Sequence, residues 1–286
     1  MTNNQSKQDN MEDLMSDLFS YAGKRVVLTG GTTGVGAAAV ELLAENGCSD
    51  LTVLDIAEPT GPATRYIPTD MSDPSSVDRA VADIGSGVDV LFNNAGVAAT
   101  HAADFVIRVN YLGLRRLTEG LLPTMNSGGA IVNTASIAGQ GWPENLAEIS
   151  ELIAIDDWDE ALGWVADNDD LVGADPYGFS KQIAQVWTMH SSARTRNEFG
   201  VRTNSVCPGP IDTPLMDDFI KTMTEQVIQW TIDQTGGAML TADDIARTLV
   251  MLGSDASVAM NGHNTIADNG FSAFMTTGQI DFSGLG

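Results

Sequence analysis

Short, nearly continuous apolar runs alternate along this chain with longer stretches whose apolar residues recur every three to four positions. Arg25-Val26-Val27-Leu28-Thr29, Leu51-Thr52-Val53-Leu54, Val88-Asp89-Val90-Leu91-Phe92 and Ala130-Ile131-Val132-Asn133-Thr134 have the length and composition of buried strands. Further strands are expected around Thr64 to Ile67 and at His263 to Ala267. Helices are expected over Ala37 to Glu45, from Ser72-Asp73-Pro74 through Ile84, over roughly Asp104 to Met125, and over Thr241 to Leu252. Another opens at Asp175-Pro176-Tyr177 and runs to about Phe199, with Pro176 at the first helical position and Asp175 as its cap. This alternation specifies an α/β fold: one doubly wound parallel sheet of about seven strands, flanked by helices, with ligands at the carboxyl ends of the strands. Only fourteen residues separate Asp55 from Asp70, too few for a full crossover helix, so a loop or single turn is expected there. Residues 1–10 are polar and read as disordered. Met11, Leu14, Met15, Leu18 and Phe19 then recur with helical period. That helix either docks on the body or a partner subunit or is a weakly ordered tail. Residues 1–22 thus read as an N-terminal extension and 23–286 as one domain.

The chemistry gathers at the strand ends. The first strand runs into Gly30-Gly31-Thr32-Thr33-Gly34-Val35-Gly36 and then an alanine-rich helix. Strand, glycine turn and helix make the arrangement that holds a dinucleotide pyrophosphate, because glycines let backbone N–H groups approach phosphate and a helix N-terminus favours negative charge. The second strand ends in Asp55, placed to accept from the adenosine ribose hydroxyls and to repel a 2′-phosphate. No Arg or Lys stands beside it, which favours NAD over NADP. Tyr177 and Lys181 are four apart, one turn along one helix face. A phenol is a weak base at its usual pKa of about 10, and an ammonium one turn away favours the phenolate. By itself that spacing is as well explained by a packed tyrosine and a solvated lysine.

Composition narrows the class. The 286 residues can bury a full core, and the formal charge of -24 argues against nucleic acid and anionic membrane as partners. Only four of the fourteen cations are lysines, so the acidity reads either as adaptation to salt or as drift that keeps the chain soluble. Cys48 and Cys207 are far apart and in no metal-ligand spacing, His101, His190 and His263 are scattered, and no metal site is expected. No signal pattern or membrane-length apolar run is present, so a cytoplasmic location is expected.

Taken together, Thr29-Gly30-x-x-x-Gly34-x-Gly36, Asn93-Asn94-Ala95-Gly96, Asn110, Ser136, Tyr177-x-x-x-Lys181 and the run Cys207 to Pro214 resemble the short-chain dehydrogenase/reductase family, in family order and over about residues 24 to 270. The resemblance implies a Rossmann-type fold and NAD(H)-dependent interconversion of an alcohol and its carbonyl. Tyr177 would be the general acid/base, and Lys181 would lower its pKa and hold the nicotinamide ribose. Ser136 would hydrogen-bond the substrate oxygen, and Asn110 would hold a water linking Lys181 to solvent. Gly30, Thr32, Thr33, Gly34, Val35, Gly36, Asp55, Asn94, Ala95 and Gly96 would line the dinucleotide, with Asp70 and Met71 at adenine and Pro208, Gly209, Ile211 and Thr213 beside the nicotinamide amide.

Ser136 and Tyr177 stand 41 residues apart, where most of the family has about a dozen between. The extra segment, about Trp142 to Ala174, reads as two helices near Asn145–Ile155 and Trp158–Asn168. With the short second crossover, this layout resembles the bacterial 3α-hydroxysteroid dehydrogenase/carbonyl reductase group and coniferyl alcohol dehydrogenase-like proteins. The insertion is expected partly to wall the substrate cleft and partly to alter the interface used for tetramers, leaving a homodimer through the last helix and strand, with a tetramer as the alternative. Residues 213–235 are expected to form a lid, with Leu215, Met216, Phe219, Ile220, Met223, Val227 and Trp230 as its apolar stripe or as an ordinary core-facing helix. The implied substrate is an apolar secondary or aryl alcohol, steroid, terpenoid or lignin-derived. The alternative is a non-catalytic dinucleotide-binding regulator on the same fold.

Overall fold

The computed structural model describes residues 18–223 and 225–282. The polar stretch 1–10 and most of the amphipathic stretch after it lie outside the described residues. Strands β1 (Arg25–Thr29), β2 (Asp50–Asp55), β3 (Arg65–Pro68), β4 (Val90–Asn93), β5 (Ala130–Thr134), β6 (Arg202–Pro208) and β9 (Asn264–Ala267) form one parallel sheet in the order β3-β2-β1-β4-β5-β6-β9. A separate two-stranded ribbon pairs β7 (Ile211–Asp212) with β8 (Leu240–Thr241).

Successive strand residues point to opposite faces, and both faces are buried. Val26, Leu28, Val53, Val90, Phe92 and Val132 join one core with helices α1 (Gly34–Glu45) and α11 (Ala242–Gly253). Val27, Leu54, Leu91 and Ile131 face the other way, onto α2 (Pro74–Ile84) and α4 (Leu114–Leu121). The sheet order reverses at β1, whose neighbours are β2 and β4. The crevice of a doubly wound sheet opens at such a switch point.

Local signals set the helix starts. Asp73 accepts from Ser75 N ahead of Pro74. Asp175 accepts from Gly178 N at 2.9 Å ahead of Pro176, where α8 (Pro176–Phe199) begins. Residues 56–64, between β2 and β3, hold no helix. The helix expected over 104–125 is broken into α3 (Ala103–Ile107), a π-helical turn over Arg108–Gly113, α4 and a 3-10 turn at Leu122–Thr124. π turns are rare and cluster at functional sites, and this one carries Asn110.

The segment between Ser136 and Tyr177 holds a 3-10 stretch (Ile137–Asn145) and three helices, α5 (Leu146–Ile153), α6 (Trp158–Asp167) and the short α7 (Asp169–Val172). Ile149, Leu152, Trp158 and Val165 pack with Ile107, Tyr111, Phe179 and Trp187, on the outer side of the π turn and α8. The expected lid divides into α9 (Met216–Met223) and α10 (Glu225–Asp233). The buried stripe runs through Met216, Ile228 and Ile232, while Ile220 is 37% exposed. The chain ends its described course in α12 (Phe271–Thr276) and a turn beyond it.

Candidate active site

The turn after β1 is shaped by two close approaches. Gly30 has φ +72, and a Cβ there would lie 2.7 Å from Ala95 Cα. A Cβ on Gly36 would meet the Gly30 carbonyl oxygen at 1.8 Å. Only glycine permits the first turn of α1 to sit this close to the end of β1. The turn after β4 is tied to the same place. Thr29 Oγ1 accepts from Asn94 N at 2.9 Å and from Ala95 N at 3.0 Å, and Asn94 Nδ2 donates to Gly30 O at 3.0 Å. The two turns therefore form one rigid floor at the sheet's switch point. At the end of β2, Asp55 accepts from Thr32 N (3.0 Å) and Ile56 N (2.7 Å), which fixes its carboxylate beside that floor.

Above this floor lies a cavity of about 770 Å³. Gly30, Thr33, Gly34, Val35, Asp55, Asp70, Met71, Asn94, Ala95, Gly96, Ser136, Tyr177, Lys181, Pro208, Gly209, Ile211 and Thr213 all line it. Three expected residues do not. Thr32 faces the other way, its Oγ1 donating to Ala57 O at 3.0 Å. Gly36 is shut behind Gly30 by the contact just described. Asn110 is buried behind the wall: Oδ1 accepts from Val97 N (2.9 Å), and Nδ2 donates to Val97 O and to Ser180 Oγ (both 3.0 Å). Its side chain ties the strand-β4 turn to α8, with Nδ2 spanning Val97 O and Ser180 Oγ. No residue of 142–174 lines the cavity, so among the described residues the insertion braces α8 from outside and does not wall the cleft.

Ser136 stands just past β5 and begins the 3-10 stretch, its Oγ accepting from Ala138 N at 3.1 Å. Gln185, one turn beyond Lys181, donates to the Ser136 carbonyl at 2.8 Å. Gly139 lets this loop lie on α8, since a Cβ there would be 2.5 Å from the Lys181 carbonyl oxygen. Lys181 Nζ donates to Thr134 O at 2.8 Å and stands 5.5 Å from the centre of the Tyr177 ring. Burial lowers the lysine to about 8, and burial pushes the Tyr177 phenol up to about 12 against the opposing pull of a hydrogen bond from Ser136. For the phenol, loss of solvent thus outweighs the lowering by the Ser136 hydrogen bond. Burial likewise raises the Cys207 thiol to about 11, which leaves it an inert neighbour.

From the lid, Phe219 sets its ring edge-on to Tyr177 at 4.7 Å between centres. Val97, Phe105, Ile137, Gln140, Phe271 and Met275 also line the cavity and were not foreseen. Phe271 and Met275 come from the C-terminal segment, whose sequence has no periodicity long enough to place it.

A doubly wound sheet with a glycine-floored crevice and a tyrosine and lysine beside it defines a dinucleotide-dependent oxidoreductase. Comparison with known proteins agrees. Residues 24–147 match the family described as short chain dehydrogenase, and residues 165–272 match that described as enoyl-(acyl carrier protein) reductase. The chain belongs to the short-chain dehydrogenase/reductase family. It is 29% identical over 255 residues to a coniferyl-alcohol dehydrogenase of a Pseudomonas species, covering 89% of this chain and 99% of that one. It is 28% identical over 278 residues to (+)-borneol dehydrogenase 1 of Salvia officinalis, covering 87% and 94%. Among solved structures, the 3-alpha-hydroxysteroid dehydrogenase of Pseudomonas sp. B-0831, complexed with NADH, superposes with a TM-score of 0.73 at 25% identity, over 89% of this chain and 99% of that one.

Proposed function

We propose that this oxidoreductase is an NAD(H)-dependent alcohol dehydrogenase or carbonyl reductase acting on an apolar secondary or aryl alcohol. The observation that carries the reading is that Tyr177, Lys181 and Ser136 line the same cavity as the glycine turn and Asp55. The residues fit a dinucleotide: Gly30 and Gly36 hold a cradle that any side chain would fill, and Gly34 has φ +56 at the start of α1. A nicotinamide dinucleotide held there would supply the hydride acceptor and a cationic ring.

Tyr177 takes the alcohol proton at its phenol oxygen in oxidation and returns it in reduction. With burial raising its pKa, it becomes a useful base only when cations stand beside it. Lys181 is one such cation and is held near the ring by Thr134 O. Ser136 donates to the substrate oxygen as negative charge grows on it. Asn110 positions the Lys181 helix through Ser180, and Phe219 and the lid exclude water from the reacting atoms.

Asp55, with no cation other than Lys181 among the described lining residues, supports NAD over NADP. The hydrocarbon lining from Phe105, Ile137, Leu215, Phe219 and Phe271 supports an apolar substrate, as do the coniferyl alcohol, borneol and hydroxysteroid named for the relatives. The insertion covers the outer side of α8, which supports a homodimer formed through α11 and the β9 edge, where Ile266 and Val258 are exposed. No helix among the described residues is long and apolar enough to cross a membrane. A panel of steroid, terpene and aryl alcohols, followed by NADH and NADPH absorbance, tests the reading. Turnover of an apolar alcohol with NAD as the better cofactor is expected. Turnover with NADP alone overturns the cofactor assignment, and no turnover across the panel overturns the substrate class.

A further inference from the structure

Two side-chain amides line the cavity, and they differ in how they are held. Asn94 is committed at both ends, with Nδ2 donating to Gly30 O and Oδ1 accepting from Thr134 Oγ1 at 3.1 Å. Gln140 is committed at one. Its Nε2 donates to Ser272 Oγ at 2.7 Å, and among the described residues nothing donates to its Oε1. Ser272 lies in the first turn of α12 and does not line the cavity. Its N–H donates to Asp268 Oδ2 at 2.8 Å and its hydroxyl donates to the same oxygen. Asp268 is 7% exposed and also accepts from Gly270 N at 3.0 Å.

A hydroxyl has one proton. With that proton on the Asp268 carboxylate, Ser272 Oγ can only accept from a further partner. The amide of Gln140 must therefore turn its NH2 to Ser272, because the opposite orientation would set two acceptors against each other. The series Asp268, Ser272, Gln140 fixes the amide in one sense and leaves without a donor the carbonyl oxygen of a residue that lines the cavity. Among the described lid residues, Thr231 Oγ1 donates to Val227 O and Asp218 Oδ1 pairs with Lys221, so the acceptors the lid brings to the cavity are a hydroxyl already donating and an ion-paired carboxylate rather than an amide oxygen. Ile137, Phe219, Phe271 and Met275, which also line the cavity, are hydrocarbon or thioether.

We infer that Gln140 Oε1 is a substrate-orienting acceptor that selects alcohols carrying a second hydroxyl, away from the reacting carbon, over the same skeleton without it. The inference rests on the alcohol dehydrogenase reading above and names a substrate class within it. An ether or alkyl group opposite Gln140 leaves a desolvated carbonyl unpaired, whereas an O–H pairs it. A site made to bond a hydroxyl rejects the analogue lacking one far more strongly than a hydrocarbon wall discriminates by size. Asp268 and Ser272 are positioning residues, since they act only by orienting the amide.

The test uses the full chain with NAD and three aryl alcohols of different length, 4-hydroxybenzyl, 4-hydroxyphenethyl and 4-hydroxycinnamyl alcohol, each paired with its 4-methoxy ether. The wild type should favour the phenol by at least about tenfold in kcat/KM at one or more lengths. In Gln140→Leu that ratio should fall to about one, with the loss falling on the phenol. Ser272→Ala frees the amide to rotate and should lower the ratio in the same direction, a shift between paired substrates that general loosening of the fold does not produce. Binding of 4-hydroxy and 4-methoxy aldehydes to the NADH complex, followed by fluorescence, gives the same comparison without turnover. Preferential binding of the phenols with no oxidation of any alcohol sinks the dehydrogenase reading and upholds the acceptor. Oxidation with a ratio of about one throughout, a preference that survives Gln140→Leu, or no binding of any phenol overturns the acceptor.

Discussion

Replacing Lys181 by methionine should stabilise the cofactor-free protein while removing its activity. Lys181 is 5% exposed, and its only hydrogen-bond partner among the described residues is the Thr134 carbonyl. Burial brings its pKa from 10.5 to about 8. At about 1.4 kcal/mol per pK unit, holding the ammonium charged in the fold costs on the order of 3 kcal/mol at neutral pH. Methionine has similar length and no charge. Losing the hydrogen bond to Thr134 returns about 1 kcal/mol, which leaves a net gain of about 2 kcal/mol. The pH dependence isolates the charge. Below about pH 8 the lysine is protonated in folded and unfolded chains alike, so the whole cost is present. As pH rises through about 8, the folded chain releases the proton while the unfolded chain keeps it until about 10.5, so the wild type gains stability. The variant's advantage should therefore shrink between about pH 8 and 10. Packing and the lost hydrogen bond do not titrate, and the tyrosines and cysteines whose pKa values burial raises are present in both proteins and drop out of the difference. Urea unfolding of cofactor-free wild type and variant from about pH 7 to 10 reads this directly. A variant that is less stable by a margin constant across that range refutes the reasoning.

Gly36→Ala should cost about 2 kcal/mol in unfolding free energy and weaken NADH binding at least about tenfold, because the added Cβ meets backbone, which cannot swing aside; unchanged NADH fluorescence titrations would contradict this. Asp55→Ser should reduce the preference for NAD over NADP by about tenfold or more in kcat/KM, through loss of the carboxylate that repels a 2′-phosphate; an unchanged ratio removes Asp55 as the discriminator. Asn110→Leu should destabilise the protein by on the order of 3 kcal/mol in denaturant titrations, since Val97 loses both its backbone partners and Ser180 loses another. An effect below about 0.5 kcal/mol would mean that the amide does not hold these elements together.

The sheet and its glycine floor were legible because their signals are local. Apolar runs such as Val26 to Leu28 are buried on both faces, and the turn residues that follow them are set by backbone geometry alone. Tyr177 and Lys181 were legible through spacing once the glycine turn and Asp55 stood in the same chain. What the sequence hid was set by distant contacts. The π turn at Arg108–Gly113 interrupts a good helical period where Asn110 is drawn to Val97 and Ser180, and where a Cβ on Gly113 would lie 2.1 Å from the Met71 carbonyl oxygen. The lid stripe read from periodicity takes in Ile220, Val227 and Trp230 but not Ile228, and the division into two helices is what turns Ile228 and Ile232 inward. Of the two roles expected of the insertion, Ile149, Leu152, Trp158 and Val165 serve the covering of a helix surface, on the outside of α8, and not the walling of the cleft, while Leu146 stays exposed. Gln140 carries no motif, and its role depends on Asp268 and Ser272, more than a hundred residues away.

The assignment of Tyr177 as the proton-transferring group is most directly checked by Tyr177→Phe, which keeps the ring against Phe219 and removes only the hydroxyl. Single-turnover oxidation of an alcohol accepted by the wild type, measured beside NADH binding, should show a rate constant lower by about a thousandfold with the NADH Kd within about twofold. Turnover within about tenfold of wild type, with NADH still bound, would contradict it.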